Sequence, residues 1–141
     1  MPERMNTRTF LDTNILVYAV DNDHPAKRAV ALDRIRQLAL SGTGVISTQV
    51  LQEFYSACTR KLGMDPLNAK QHVRDFRMFD VVPVSPDLIE AGIDCSILER
   101  ISFWDGLILA AAHAAGCGCL LTEDLSHGQV IRGVSIENPF R

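Results

Sequence analysis

Thr9-Phe10-Leu11-Asp12-Thr13-Asn14-Ile15-Leu16-Val17-Tyr18 is the stretch on which the reading of the fold turns. A short apolar run stops at three consecutive polar residues, and a second apolar run follows at once. That is the pattern of a buried strand feeding a helix. It recurs: Val45-Ile46 precedes a helical run over 48–62, and Cys119-Leu120-Leu121-Thr122 follows the apolar helix Trp104 to Ala115. Strands alternating with helices argue for an α/β domain with a mostly parallel sheet.

Working outward, the first strand covers Arg8 to Leu11 and a short helix covers Ile15 to Val20. Asp21-Asn22-Asp23-His24-Pro25 breaks it, with Asp23 or His24 as the cap and Pro25 in the first turn of the next helix. That helix reaches Leu40 and sets Ala31, Ile35, Leu38 and Ala39 on one face. In the helix after Val45-Ile46 the apolar face is Val50, Leu51, Phe54, Tyr55 and Cys58. Pro66 opens a helix to Phe79, and Asp80 to Val84 is a third strand, placed at an edge because Pro83 has no N–H for a ladder. Ser85-Pro86-Asp87 caps a helix to Leu98, and Val134-Ser135-Ile136 is a fifth strand. No linker or internal repeat divides residues 1–141, which read as a single domain.

The hydrophobic fraction of 47% and charged fraction of 22% are those of a globular chain. No apolar run approaches the roughly 20 residues of a membrane span. The N-terminal residues 1–8 carry charge without an apolar signal core. Both observations point to the cytoplasm. Cys58, Cys95, Cys117 and Cys119 show no disulfide or zinc spacing and read as core residues. The net charge of −3 sets 14 Lys and Arg against 17 Asp and Glu. With four of those acids committed to a cation the remainder is close to neutral, so charge alone neither favours nor forbids a phosphate-bearing substrate.

Four acids carry the chemistry. In open parallel sheets, ligand sites gather outside the carboxyl ends of the strands. Asp12 closes the first strand and Asp124 follows Cys119 to Thr122, while Glu53 and Asp105 lie in helices able to reach the same edge. Asp12, Thr13 or Asn14 would also serve as a helix cap, which accounts for one such residue but not for three in a row. Ser102-Phe103-Trp104-Asp105 has capping-box spacing, and the helix dipole there is expected to keep Asp105 ionised. Glu123 and Asp124 are expected to point in different directions, so one of them joins the site. Glu53 falls on the side of its helix away from Val50, Phe54 and Cys58, the angle of a solvated acid or of a rim residue. Converging carboxylates repel one another, and the natural reason to assemble them is a shared divalent cation.

Other polar residues read more plainly. His24, His72, His113 and His127 lack metal spacing, and His113 is expected to be a partly buried structural residue. Lys27, Arg28, Arg34 and Arg36 are expected to form a solvated helix face, with contact to phosphate as the lesser reading. Neither a P-loop nor a dinucleotide glycine fingerprint is present.

Together, Leu11-Asp12-Thr13-Asn14, Glu53 within Gln52-Glu53-Phe54, Trp104-Asp105 and Thr122-Glu123-Asp124 resemble the PIN-domain ribonucleases, above all the VapC toxins of bacterial toxin–antitoxin pairs. The resemblance spans nearly the whole chain, to Asn138-Pro139-Phe140. It implies a three-layer sandwich with strand order 3-2-1-4-5 and magnesium-dependent cleavage of RNA, with manganese as an alternative ion. It further implies a cognate antitoxin and a homodimer. Asp12 and Asp105 correspond to the main metal ligands, Glu53 and Asp124 complete the pocket, and Thr13 and Asn14 support it. Two rivals are weighed against this. An aspartyl-phosphate phosphatase wants a second acid where Asn14 stands, and a catalytically silent RNA- or protein-binding module should have lost acids that this chain keeps.

Overall fold

The computed structural model describes residues 7–141; residues 1–6, most of the stretch read above against a signal peptide, lie outside it. The elements run β1 (Thr9–Leu11), α1 (Thr13–Tyr18), α2 (Pro25–Ser41), β2 (Gly44–Ser47), α3 (Thr48–Arg60) and α4 (Pro66–Phe76). Then come β3 (Asp80–Val82), α5 (Pro86–Glu99), α6 (Phe103–Ala114), β4 (Cys119–Leu121), β5 (Val130–Ile131) and β6 (Val134–Glu137). The sheet order is β3-β2-β1-β4-β6-β5. Its first five members are parallel, in the order expected, with β6 as the expected fifth strand and β3 at an edge.

The central strands are covered on both faces, so they read as unbroken apolar runs rather than alternating ones. Phe10, Leu11, Val45, Ile46, Leu120 and Leu121 are fully buried. α6 packs on β2, β4 and β6 and against α5, while α2 and α3 pack on β2 and α1 bridges α2 and α3. Gly106 lets α5 and α6 come together: a Cβ there would stand 2.6 Å from the Gly92 carbonyl oxygen, inside contact distance. Gly92 in turn faces the Leu107 backbone, so a methyl group at either position would push the helices apart.

Side chains start most helices where the sequence indicates. Ser47, Asp65, Ser85 and Ser102 accept bonds from first-turn N–H groups, and Asp12 accepts from Thr13. At α2 the expected position holds but the capping bond is missing. His24 occupies the cap position with no capping bond, because its ring is turned to Asp21 at 2.8 Å, and only Pro25 marks the start. Helix α1 begins at Thr13, earlier than Ile15, since Asp12 ends the strand and caps the helix at once. β3 stops at Val82, before Pro83, and α4 stops at Phe76. Ala39 and Tyr55, expected on apolar faces, are exposed.

Strand β5 was not expected. It pairs antiparallel with β6 through Arg132-Gly133, both with positive φ (51° and 78°), the geometry of a two-residue hairpin turn. Arginine in the first of these positions is an uncommon turn signal, which is why the hairpin is hidden in the sequence.

Candidate metal centre

Strand register brings the first and fourth strands to a common end. Leu11 pairs with Leu121, and the Asp12 N–H donates to the Leu121 carbonyl at 3.0 Å. Asp12 and Thr122 therefore leave the sheet side by side, and Thr122 Oγ1 donates to Asp12 Oδ2 at 2.8 Å. Thr13 N–H donates to Asp12 Oδ1 at 2.7 Å. The same threonine oxygen receives the Asp124 N–H at 3.1 Å, folding the post-strand loop back onto the site. Asn14, in the first turn of α1, donates from Nδ2 to Asp124 Oδ2 at 3.1 Å. Asp105 arrives from the first turn of α6, which Ser102 Oγ caps by accepting the Asp105 N–H at 3.0 Å.

As a result one carboxylate oxygen from each of Asp12, Asp105 and Asp124 lies within 4.8 Å of the others. Among the described residues none of the three has a salt-bridge partner. Asp12 is only 6% exposed. Burial pushes its carboxyl up to about 7 against the hydrogen bonds from Thr122 and Thr13, and the charges of Asp124 and Glu53 push the same way. Burial also raises Asp105, again with help from Asp124 and Glu53. The helix start does not hold Asp105 below its ordinary range, as the sequence suggested; desolvation and like charge outweigh it.

Glu53 lines the same cleft, of about 650 Å³, without joining the set of three. It is half-buried rather than a solvated acid, because α1 packs on its side of α3. Thr13 Oγ1 donates to Glu53 Oε1 at 2.7 Å and Gln49 Nε2 to Oε2 at 3.3 Å. Glu123 diverges from Asp124 as expected: it accepts from Tyr18 Oη at 2.7 Å and from Lys27 Nζ at 3.0 Å.

The donor set suits a hard dication. All three converging ligands are carboxylate oxygens, the preference of magnesium, manganese and calcium, with neither sulfur nor imidazole among them. Asn14 Oδ1 and Gln49 Oε1 are buried and without a partner among the described residues, two acceptors that waters on a hydrated cation would satisfy.

Residues 9–131 match the PIN domain. The chain belongs to the PIN-domain family. No curated protein matches it in sequence. Among solved structures it is similar to VapBC2 from Rickettsia felis bound to a DNA fragment from their promoter, at 24% identity over 92% of this chain and 97% of that one, with a TM-score of 0.67. It is similar to a toxin–antitoxin complex from Klebsiella pneumoniae at 22% identity, 93% and 97% coverage and a TM-score of 0.67. It also resembles VapC20 from Mycobacterium tuberculosis, a sarcin–ricin-loop-cleaving toxin, at 21% identity, 79% and 86% coverage and a TM-score of 0.58. At such identities the likeness speaks for the fold.

Four features of this PIN domain escape a reading of its sequence. Thr122 bonds Asp12, Asn14 and Asp124 at once, yet it looks like an ordinary strand residue. Gln49 is a buried amide one helical turn before Glu53, and that i, i+4 spacing was its only signal. Lys27 and Arg34 are not a free solvated face: they reach Glu123 and Glu137, while Arg28 and Arg36 remain exposed. His113 is exposed rather than half-buried, with Nδ1 3.2 Å from the Arg132 carbonyl. No helix among the described residues is long and apolar enough to cross a membrane.

Proposed function

We propose that this PIN domain is a magnesium-dependent endoribonuclease, with manganese able to substitute, acting in the cytoplasm as the toxin of a toxin–antitoxin pair. One observation carries the reading: three carboxylates converge at a strand end, one of them buried, with no cation among the described residues to offset them. Asp12 and Asp105 would hold the principal ion, and Asp124 a second ion or an ordered water, with Asn14 fixing the Asp124 carboxylate. When bound, the dication supplies positive charge for the phosphodiester oxygens and acidity for the attacking water.

The remaining steps belong to the protein's own residues. Glu53 orients the attacking water and accepts its proton, with its two oxygens held by Thr13 and Gln49. The water oxygen bonds to phosphorus while the bond from phosphorus to the leaving oxygen breaks, and the leaving oxygen takes its proton from solvent water. Thr122 keeps Asp12 aimed at the site through each turnover.

Support for a cognate antitoxin comes from the structural relatives, two of which are toxin–antitoxin complexes. Ile89, Ile93 and Ile97 form an exposed apolar strip at four-residue spacing on α5, which is consistent with a protein partner or a homodimer. The whole chain would act as one domain. Incubating a structured RNA with the protein in magnesium tests the reading. Cleavage should stop with chelator and in Asp12→Ala. Tight RNA binding without cleavage would instead favour a silent binding module.

A further inference from the structure

The cleft poses an electrostatic difficulty for a polyanionic substrate. Proteins draw much of their affinity for nucleic acid from Lys and Arg on the phosphates. Here seven carboxylates line the cleft; Lys27 offsets one of them, Glu123, and Lys61 is the one lysine among the described lining residues, with no arginine. Even a dication held by three of those acids leaves the lining short of positive charge. RNA bound here needs a source of affinity that is indifferent to phosphate.

Trp104 supplies the surface for it. The residue lines the cleft, is 60% exposed, and directly precedes Asp105 of the acidic trio. Its position is set from two sides. Gln49 Nε2 donates to its backbone carbonyl at 3.3 Å, and Phe103 packs against the indole edge-to-face with centroids 4.9 Å apart. Tryptophan is on average a highly buried residue, and this one stands open beside a candidate reaction centre, where its ring is free to meet a substrate.

We propose that Trp104 is a positioning residue for the substrate: its indole stacks on an unpaired base next to the phosphodiester that the acidic trio addresses. This rests on the nuclease reading and deepens it by naming the side chain that would hold an unpaired base at the cut. Base–aromatic stacking tolerates any sequence because every base has a π-face. In duplex RNA those faces are occupied by neighbouring bases, so the platform selects unpaired segments.

Trp104 is the sole tryptophan of the chain, so its emission reports on this contact alone. The experiment titrates the full chain, in calcium to hold back cleavage, with a short unstructured oligoribonucleotide, its abasic counterpart and its duplex form. The unstructured strand should quench Trp104 emission saturably; the abasic strand and the duplex should not. By anisotropy of a labelled strand, Trp104→Ala should bind about ten- to a hundredfold more weakly and Trp104→Phe should retain most of the affinity. Both variants should melt with the wild type, since the side chain is mostly exposed. Unchanged emission at saturation, equal binding by Trp104→Ala, or equal binding of the abasic strand would overturn the proposal. Cleavage in magnesium without quenching refutes the Trp104 contact alone. Quenching without cleavage in magnesium refutes the nuclease reading and leaves the contact standing.

Discussion

Two sets of acids sit at the same carboxyl edge of the sheet and are treated in opposite ways. Glu123 and Glu137 are each met by a cation from α2: Lys27 lies 3.0 Å from Glu123, and Arg34 pairs with Glu137. Asp12, Asp105 and Asp124, a few residues away, receive hydrogen bonds but no cation among the described residues. Lys27 and Arg34 stand seven residues apart on that one helix, and both pair with acids outside the trio. The difference separates acids paired within the protein from acids whose charge nothing among the described residues offsets.

The largest effect should come from Asp12→Asn. It preserves shape while removing the buried charge, and RNA cleavage should fall by more than the roughly 10- to 100-fold that outer-shell changes cost at metal sites. Activity within a few-fold of wild type would erase the distinction between the two sets. Next is Thr122→Val, which keeps the bulk of the side chain but loses the hydroxyl that joins Asp12, Asn14 and Asp124. Magnesium affinity, read by the concentration needed for half-maximal cleavage, should weaken by about 10- to 100-fold.

How much of this was legible in the chain depends on the kind of signal. Asp12 and Asp124 could be placed because each directly follows an apolar strand, and strand ends are where open parallel sheets gather ligands. Glu53 could not be oriented, since the helical wheel describes one helix and the packing of α1 against α3 is what makes that side half-buried. Thr122 was invisible for a related reason: its role arises from the Leu11–Leu121 register, a long-range pairing that local pattern does not encode. The parallel order of the five main strands was expected, whereas the β5–β6 hairpin turns on a left-handed Arg132 that its residue type does not announce.

A smaller effect concerns pH. Burial raises Asp12 from 3.8 to about 7, so the folded state holds a proton that the unfolded chain releases near pH 4. Its stabilising effect is complete below about pH 4 and is lost as pH rises through about 7. In chelator, the wild-type melting temperature should therefore fall between pH 5 and pH 8 by more than that of Asp12→Asn, which lacks this group (the pH range brackets the raised value). Parallel melting curves for the two proteins would contradict the burial-driven shift. The smallest effect is expected from Lys27→Met. Lys27 is 39% exposed, and pairs of that kind are worth about 0–1 kcal/mol. Stability by urea unfolding should change within that range, and cleavage should change only a few-fold. Loss of cleavage as deep as that of Asp12→Asn would move Glu123 and its partners into the working site.

The most direct test is manganese diffusion into crystals of the wild-type protein, followed by an anomalous difference map. Manganese density bridging Asp12, Asp105 and Asp124, and missing from Asp12→Asn crystals treated alike, is the predicted result. Manganese-dependent cleavage in solution with no such density between those carboxylates would contradict it.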